Sequence, residues 1–248
     1  MLKKRVIPVL TTNGFGLVKT KQFQNPRMLG NPIQTAKVFN NRDVDELIFL
    51  DIYATRDNRA VNLINAQRVI DECFMPVGIG GGIKSLKQIE DLLKIGADKV
   101  IISTAFLKDI DFVKKAIDVF GSQCITIALD VIKRDKEYLH INDFSRNLSQ
   151  LVDLANSIQV GEIILTSVNF EGEMKGLDCD LYGNILPKIK CPVIVHGGAG
   201  KPEDFTKVPN QEFISGYAGS SIYAYTQYTP NDVKLRLKDS GSNIRVTE

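Results

Sequence analysis

Short runs rich in β-branched and other apolar residues recur along the chain, over residues 6–10, 47–52, 76–80, 99–103, 124–129, 162–167, 192–196 and 213–217. Each predicts a strand. Between them apolar residues return every three or four positions, as in Leu86-Ile89-Leu92-Leu93 and Phe112-Ala116-Ile117-Phe120. That spacing predicts helices with one buried stripe. The strand runs are apolar almost throughout, as expected of a parallel sheet covered by helices. Eight β-α alternations in this length predict an α/β fold closed as a single (β/α)8 TIM barrel, with an open doubly wound sheet as the competing arrangement.

The chain also resembles itself. Pro76-Val77-Gly78-Ile79-Gly80-Gly81-Gly82-Ile83-Lys84 matches Pro192-Val193-Ile194-Val195-His196-Gly197-Gly198-Ala199-Gly200-Lys201, with Gly81 and Gly198 117 residues apart. Glu46-Leu47-Ile48-Phe49-Leu50 matches Glu162-Ile163-Ile164-Leu165-Thr166 at an offset of 116, and Ser103 precedes Ser220 by 117. Residues 1–248 therefore read as one barrel domain built by a two-fold repeat, with half-barrels over about 1–120 and 121–240.

Composition narrows the class of molecule. Hydrophobic residues make up 44% and charged residues 24%, which excludes disordered, fibrous and membrane-spanning chains. With 31 basic against 29 acidic residues the net charge is +2, too small for a broad cationic field, so neither nucleic acid nor an anionic membrane is expected as a partner. Cys73, Cys124, Cys179 and Cys191 form no CxxC pair, so no zinc cage or redox motif is expected and the thiols are read as reduced. The basic start Met1-Leu2-Lys3-Lys4-Arg5 leads into an apolar run too short for a signal core, and a cytoplasmic location is expected.

Two glycine turns follow strands: Gly80-Gly81-Gly82, before a helix starting near Ser85, and Gly197-Gly198-Ala199-Gly200, before Pro202 at a first helical position. Such turns let backbone N–H groups approach an anion. Ser103-Thr104 and Ser220-Ser221 add hydroxyls on the neighbouring loops, so two equivalent anion sites and a ligand with two phosphate-like ends are expected. In barrels of this kind the chemistry sits at the C-terminal ends of the strands, here Thr11, Asp51, Ser103, Asp130, Ser167, His196 and Ser220. Asp130 is the best candidate acid or base, the alternative being a loop hydrogen bond. Asp51 is read as orienting loops. His196, before the second glycine turn, can contact a phosphate or protonate a leaving group. His140 falls between charged segments and is expected at the surface. No second histidine accompanies His196 at metal-ligand spacing, so neither metal nor cofactor is expected. Arg5, Glu46, Lys99 and Glu162 stand at strand starts, either as separate solvated charges or as a ring that closes the N-terminal mouth.

These segments closely resemble HisF, the cyclase subunit of imidazole glycerol phosphate synthase. The match runs from Arg5-Val6-Ile7-Pro8 through Val44-Asp45-Glu46-Leu47-Ile48-Phe49-Leu50-Asp51-Ile52, Gly80-Gly81-Gly82-Ile83, Gly96-Ala97-Asp98-Lys99-Val100, Phe120-Gly121-Ser122-Gln123-Cys124 and Gly161-Glu162-Ile163 to His196-Gly197-Gly198-Ala199-Gly200-Lys201-Pro202-Glu203. The resemblance implies a barrel paired at its N-terminal face with a HisH glutaminase, whose ammonia passes through the barrel to an ammonia-dependent lyase and cyclase of histidine biosynthesis. It makes Arg5, Glu46, Lys99 and Glu162 the ammonia gate and puts Asp98 at the glutaminase contact. It makes Lys19, with Gly81, Gly82, Ser103, Thr104, Gly197, Gly198, Ser220 and Ser221, the grip on a bisphosphorylated substrate, to which His196 is added by its position before the second glycine turn. The family uses two aspartates as acid and base; Asp130 matches the second, while Thr11 stands at the first. Ser103 replaces an asparagine, His196 a serine, and Asn169-Phe170-Glu171 an acidic-basic-acidic loop. The intact gate and altered pocket, with Asn13-Gly14-Phe15-Gly16-Leu17-Val18-Lys19-Thr20, resemble the WbuZ-like branch associated with glycosyl amidation. That branch implies ammonia delivery to a separate amidotransferase acting on a sugar of surface polysaccharide or flagellin. An active cyclase and a non-catalytic scaffold of the glutaminase are the alternatives.

Overall fold

In a computed structural model, which describes residues 3–246, eight parallel strands close a barrel: β1 (Arg5–Thr12), β4 (Leu47–Asp51), β5 (Val77–Gly80), β6 (Lys99–Ile102), β7 (Ile125–Arg134), β10 (Glu162–Ser167), β11 (Val193–His196) and β12 (Ile214–Gly219). They pair in that order, and β12 returns to β1 with Arg5 beside Gly216 and Ile7 beside Ala218. Closure rules out the open sheet. Each strand falls within a few residues of its expected bounds.

Two antiparallel additions were not expected. β2 (Leu17–Lys21) and β3 (Gln24–Gly30) form a hairpin after β1, and β8 (Glu137–His140) and β9 (Asp143–Asn147) fold back on the long end of β7. This second addition corrects the expectation for His140. It lies opposite Val131, fully buried, because the hairpin turns it in over the top of the barrel.

Helices α1 (Pro32–Asn40), α2 (Leu63–Ile70), α3 (Leu86–Lys94), α4 (Thr104–Lys108), α5 (Ile110–Phe120), α6 (Leu148–Ser157), α7 (Cys179–Ile185), α8 (Pro202–Thr206), α9 (Ser221–Tyr225) and α10 (Pro230–Asp239) cover the outside. Ser85 caps α3 by accepting the Gln88 N–H, and Pro202 opens α8, as the sequence indicates. α8 has five residues, so little of its dipole is available to an anion at the second glycine turn.

Strand alternation separates two cores. One set of side chains packs outward under the helices; the other meets inside as Ile7, Val9, Ile48, Ile101, Ala128, Ile164, Ile194 and Ala218. Because successive residues face opposite sides, the positions two before or after this inner layer face the lumen as well. The lumen therefore runs from Arg5, Glu46, Lys99 and Glu162 at one end, through an apolar middle, to Thr11, Ser103, Asp130, Thr166, His196 and Ser220 at the other.

Candidate functional site

At the N-terminal end, Arg5 bonds Glu46 through Nη1 and Glu162 through Nη2. Lys99 Nζ lies 3.0 Å from Glu46 and 2.8 Å from Glu162. Two cations and two buried carboxylates thus form a closed ring, which decides against separate solvated charges. Ser215, which the sequence does not single out, tightens it. Its Oγ accepts from Arg5 Nη2 at 3.1 Å and its carbonyl accepts from Nε at 3.4 Å. The small residues Ser215-Gly216 in a strand were the available sign of a close approach. Asp98 is exposed at the same end, and its carboxylate accepts the Val77 N–H at 2.8 Å. Just inside the ring the buried Thr126 hydroxyl has no partner among the described residues.

At the C-terminal end a cavity of about 850 Å3 is lined by Thr11, Lys19, Gly81, Gly82, Ser103, Thr104, Asp130, Thr166, His196 and Ser220, among others. A narrow recess of about 10 Å3, room for about one water, is lined by Gly197, Gly198 and Ser221 and shares Lys19, Glu171, His196 and Ser220 with the cavity. The sequence-derived residues at this end are therefore brought together. Any side chain at Gly81 or Gly198 would be strained: both have positive φ, and an added Cβ would lie 2.5 Å from the Asp51 carbonyl oxygen and 2.1 Å from that of Gly176. Ser221 is 6% exposed and its Oγ is unpartnered beside the recess.

Thr11 does not offer its proton to the cavity, since its hydroxyl donates to the Val18 carbonyl of the first hairpin. Lys19 is buried and paired with Glu171. Burial pulls its ammonium down to about 8, while the adjoining carboxylate favours the charged form. Asp51 orients loops as expected: it accepts from the Ala54 N–H at 3.1 Å and from Arg59 Nη2 at 2.9 Å.

Asp130 faces the cavity between groups on both sides. Burial raises its pKa, opposed by His140 and by a hydrogen bond from Thr166. His140 Nδ1 accepts the Asn142 N–H at 3.1 Å, so the neutral ring carries its proton on Nε2, 3.3 Å from Ser103 Oγ. Burial lowers the pKa of His140, which favours that neutral form. On the other side Thr166 Oγ1 lies 3.3 Å from His196 Nδ1. Burial, with Lys19 nearby, depresses His196 to about 3, so this ring is neutral too. Thr166 and His140 were missed as site residues. For Thr166 the signal was a hydroxyl two positions beyond the lumen-facing Ile164, after the apolar Ile163-Ile164-Leu165; for His140 there was none, because its hairpin is polar.

Among the described residues no group of three or more His, Cys, Asp or Glu is placed to hold a metal ion, and no helix is long and apolar enough to cross a membrane.

The family model described as histidine biosynthesis protein matches residues 5–227. The chain belongs to this family, and its HisF relatives place it in the HisF branch. A Campylobacter jejuni protein provisionally named imidazole glycerol phosphate synthase subunit hisF2 is 39% identical over 99% of this chain and all of its own length. Proteins named imidazole glycerol phosphate synthase subunit HisF are 36% identical in Dehalococcoides mccartyi, over 99% of each chain, and 33% identical in Streptococcus mutans, over 99% of this chain and all of that one. In this HisF-family chain, therefore, the charged ring and the C-terminal cavity stand at the two ends of one lumen.

Proposed function

We propose that this HisF-family protein is the cytoplasmic barrel subunit of a glutamine amidotransferase complex. A HisH-like glutaminase docks on the N-terminal face near Asp98, and Arg5, Glu46, Lys99 and Glu162 gate its ammonia. The lumen beyond is apolar and favours neutral ammonia over ammonium, with the Thr126 hydroxyl as a polar waypoint. A phosphate-bearing small molecule occupies the far cavity, held by Lys19, Gly81, Gly82, Ser103, Thr104, His196, Gly197, Gly198, Ser220 and Ser221. Ammonia leaving that end serves the amidation of a surface-polysaccharide or flagellin sugar by a separate amidotransferase.

One observation carries the reading: the Thr11 hydroxyl is engaged by the Val18 carbonyl, so the two-carboxylate arrangement implied for cyclisation is reduced to Asp130. Losing one of two proton-transfer groups costs on the order of 10²–10⁴ in rate. The second reading, a cyclase of histidine biosynthesis, is supported by Asp130 facing the cavity with His140 behind it, and by the names of the relatives.

Reconstitution with a HisH-like glutaminase tests the conduit. Glutaminase turnover should rise on adding this chain, and Lys99→Met should uncouple ammonia release at the far end from glutamine hydrolysis. Unchanged turnover would leave neither a conduit nor an activating scaffold.

A further inference from the structure

Asp130, Thr166 and His196 stand side by side on β7, β10 and β11 at one level of the barrel, with Thr166 in register with both neighbours. A threonine hydroxyl has one proton to donate, so it cannot donate to both. Two arrangements satisfy the row. In the first, Thr166 donates to an ionised Asp130, His196 Nδ1–H donates to Thr166 Oγ1, and Nε2 is left as a bare acceptor. In the second, a protonated Asp130 donates to Thr166, Thr166 donates to His196 Nδ1, and Nε2 carries the proton. His196 lines both the cavity and the recess where Lys19 and the unpartnered Ser221 hydroxyl meet. An anion there is repelled by the first arrangement and hydrogen-bonded by the second.

We propose that Asp130, Thr166 and His196 form a proton relay that couples binding of a phosphate-like anion, in the cavity at the mouth of the recess, to uptake of one proton. The proton enters at His196 Nε2, the Nδ1 proton passes to Thr166, and the Thr166 proton passes to Asp130. One N–H bond forms and one breaks, the carboxylate becomes a carboxylic acid, and no electrons are exchanged. Thr166 is thus a positioning residue, acting on the anion through His196. The proposal rests on the reading that a phosphate group lodges where the cavity meets this recess, among the shared Lys19, His196 and Ser220, and there the incoming anion must compete with Glu171 for Lys19. The groups facing the relay are His140 and Ser103 beside Asp130, and Lys19 with its partner Glu171 beside His196. Asp143 and Arg146 act on His140 from outside. Burial lowers the pKa of His140 against the pull of Asp130, and burial pulls Lys19 down to about 8 while its pairing with Glu171 favours the charged form.

The test has two arms. Ring ¹⁵N shifts of His196 in the free protein, with the Asp130 carboxyl ¹³C shift followed in parallel, read the tautomer directly. As Asp130 ionises, His196 should switch from Nε2–H to Nδ1–H; the switch should vanish in Thr166→Val and return in Thr166→Ser. In the second arm the probe is inorganic sulfate, which does not itself titrate here. Across the same pH interval its Kd should weaken with a slope approaching tenfold per pH unit, and Thr166→Val should flatten that slope while leaving the fold intact by circular dichroism. A tautomer that stays constant while Asp130 titrates, or a slope that survives Thr166→Val, overturns the relay. Sulfate that does not bind where the cavity meets the recess overturns the anion reading, while the tautomer arm still decides the relay.

Discussion

Removing Arg5 is the sharpest perturbation of the N-terminal ring. In the native protein each buried carboxylate touches two cations, and Arg5 supplies one contact to each. Arg5→Ala leaves Glu46 and Glu162 sharing Lys99, and Ser215 loses its guanidinium partner. Breaking a buried ion pair by deleting one partner costs about 3–5 kcal/mol. The Arg5 side chain is 23% exposed, so water reaches part of the vacated space and the lower figure, about 3 kcal/mol, is expected. At about 2–4 °C per kcal/mol for a chain of this size, Tm should fall by roughly 6–12 °C. The protein has no tryptophan and seven tyrosines, so urea unfolding followed by far-ultraviolet circular dichroism and tyrosine fluorescence is the suitable assay. Lys99→Met should cost a similar amount. The double variant should differ clearly from the sum, because both cations serve the same two carboxylates. A loss below about 1 kcal/mol for Arg5→Ala, the range of exposed pairs, or simple additivity in the double variant, would refute a closed ring.

Three further outcomes are expected. Gly198→Ala should lower Tm well beyond Gly241→Ala: both have positive φ, worth about 1 kcal/mol of strain, but only at 198 does the new Cβ meet a carbonyl oxygen, whereas at 241 nothing lies within 4 Å. Asp51→Asn should cost about 2 kcal/mol in urea unfolding, since the Arg59 contact is weakened while the carboxyl's backbone role persists in the amide; no loss would mean that Arg59 is not held there. His196 has a folded pKa of about 3 against an ordinary 6.5, so below pH 6.5 the unfolded chain takes up a proton that the folded chain does not, and stability falls as pH falls. His196→Gln should remove that share of the acid destabilisation, up to about 1.4 kcal/mol per pH unit between 6.5 and 4, and equal slopes in both proteins would contradict a neutral buried ring.

The barrel was legible because its strands are buried on both sides, so apolar runs mark them without help from distant residues. Regular spacing and the internal repeat then place Gly81 and Gly198 at equivalent turns. The hairpins escaped for the opposite reason. β3, with the sequence Gln24-Asn25-Pro26-Arg27-Met28-Leu29-Gly30, is exposed throughout, and its pairing with β2 leaves no hydrophobic rhythm. His140 was misread for the same cause, since its burial depends on the β7–β8 turn rather than on its polar neighbours. The lumen positions of Asp130 and His196 follow from strand parity. Thr166 follows from the same parity, but the Lys19–Glu171 pairing depends on the distance between segments far apart in sequence, which no local pattern encodes.

The most direct measurement supplies the purified chain with ammonium salt and the bisphosphorylated cyclase substrate of histidine synthesis, then follows substrate loss beside Thr11→Asp. With Thr11 turned to the Val18 carbonyl, turnover by the native chain should be absent or at least about a hundredfold below that of the aspartate variant. Turnover by the native chain equal to that of Thr11→Asp would contradict the loss of cyclisation and establish Asp130 with its histidine neighbours as a sufficient acid–base centre.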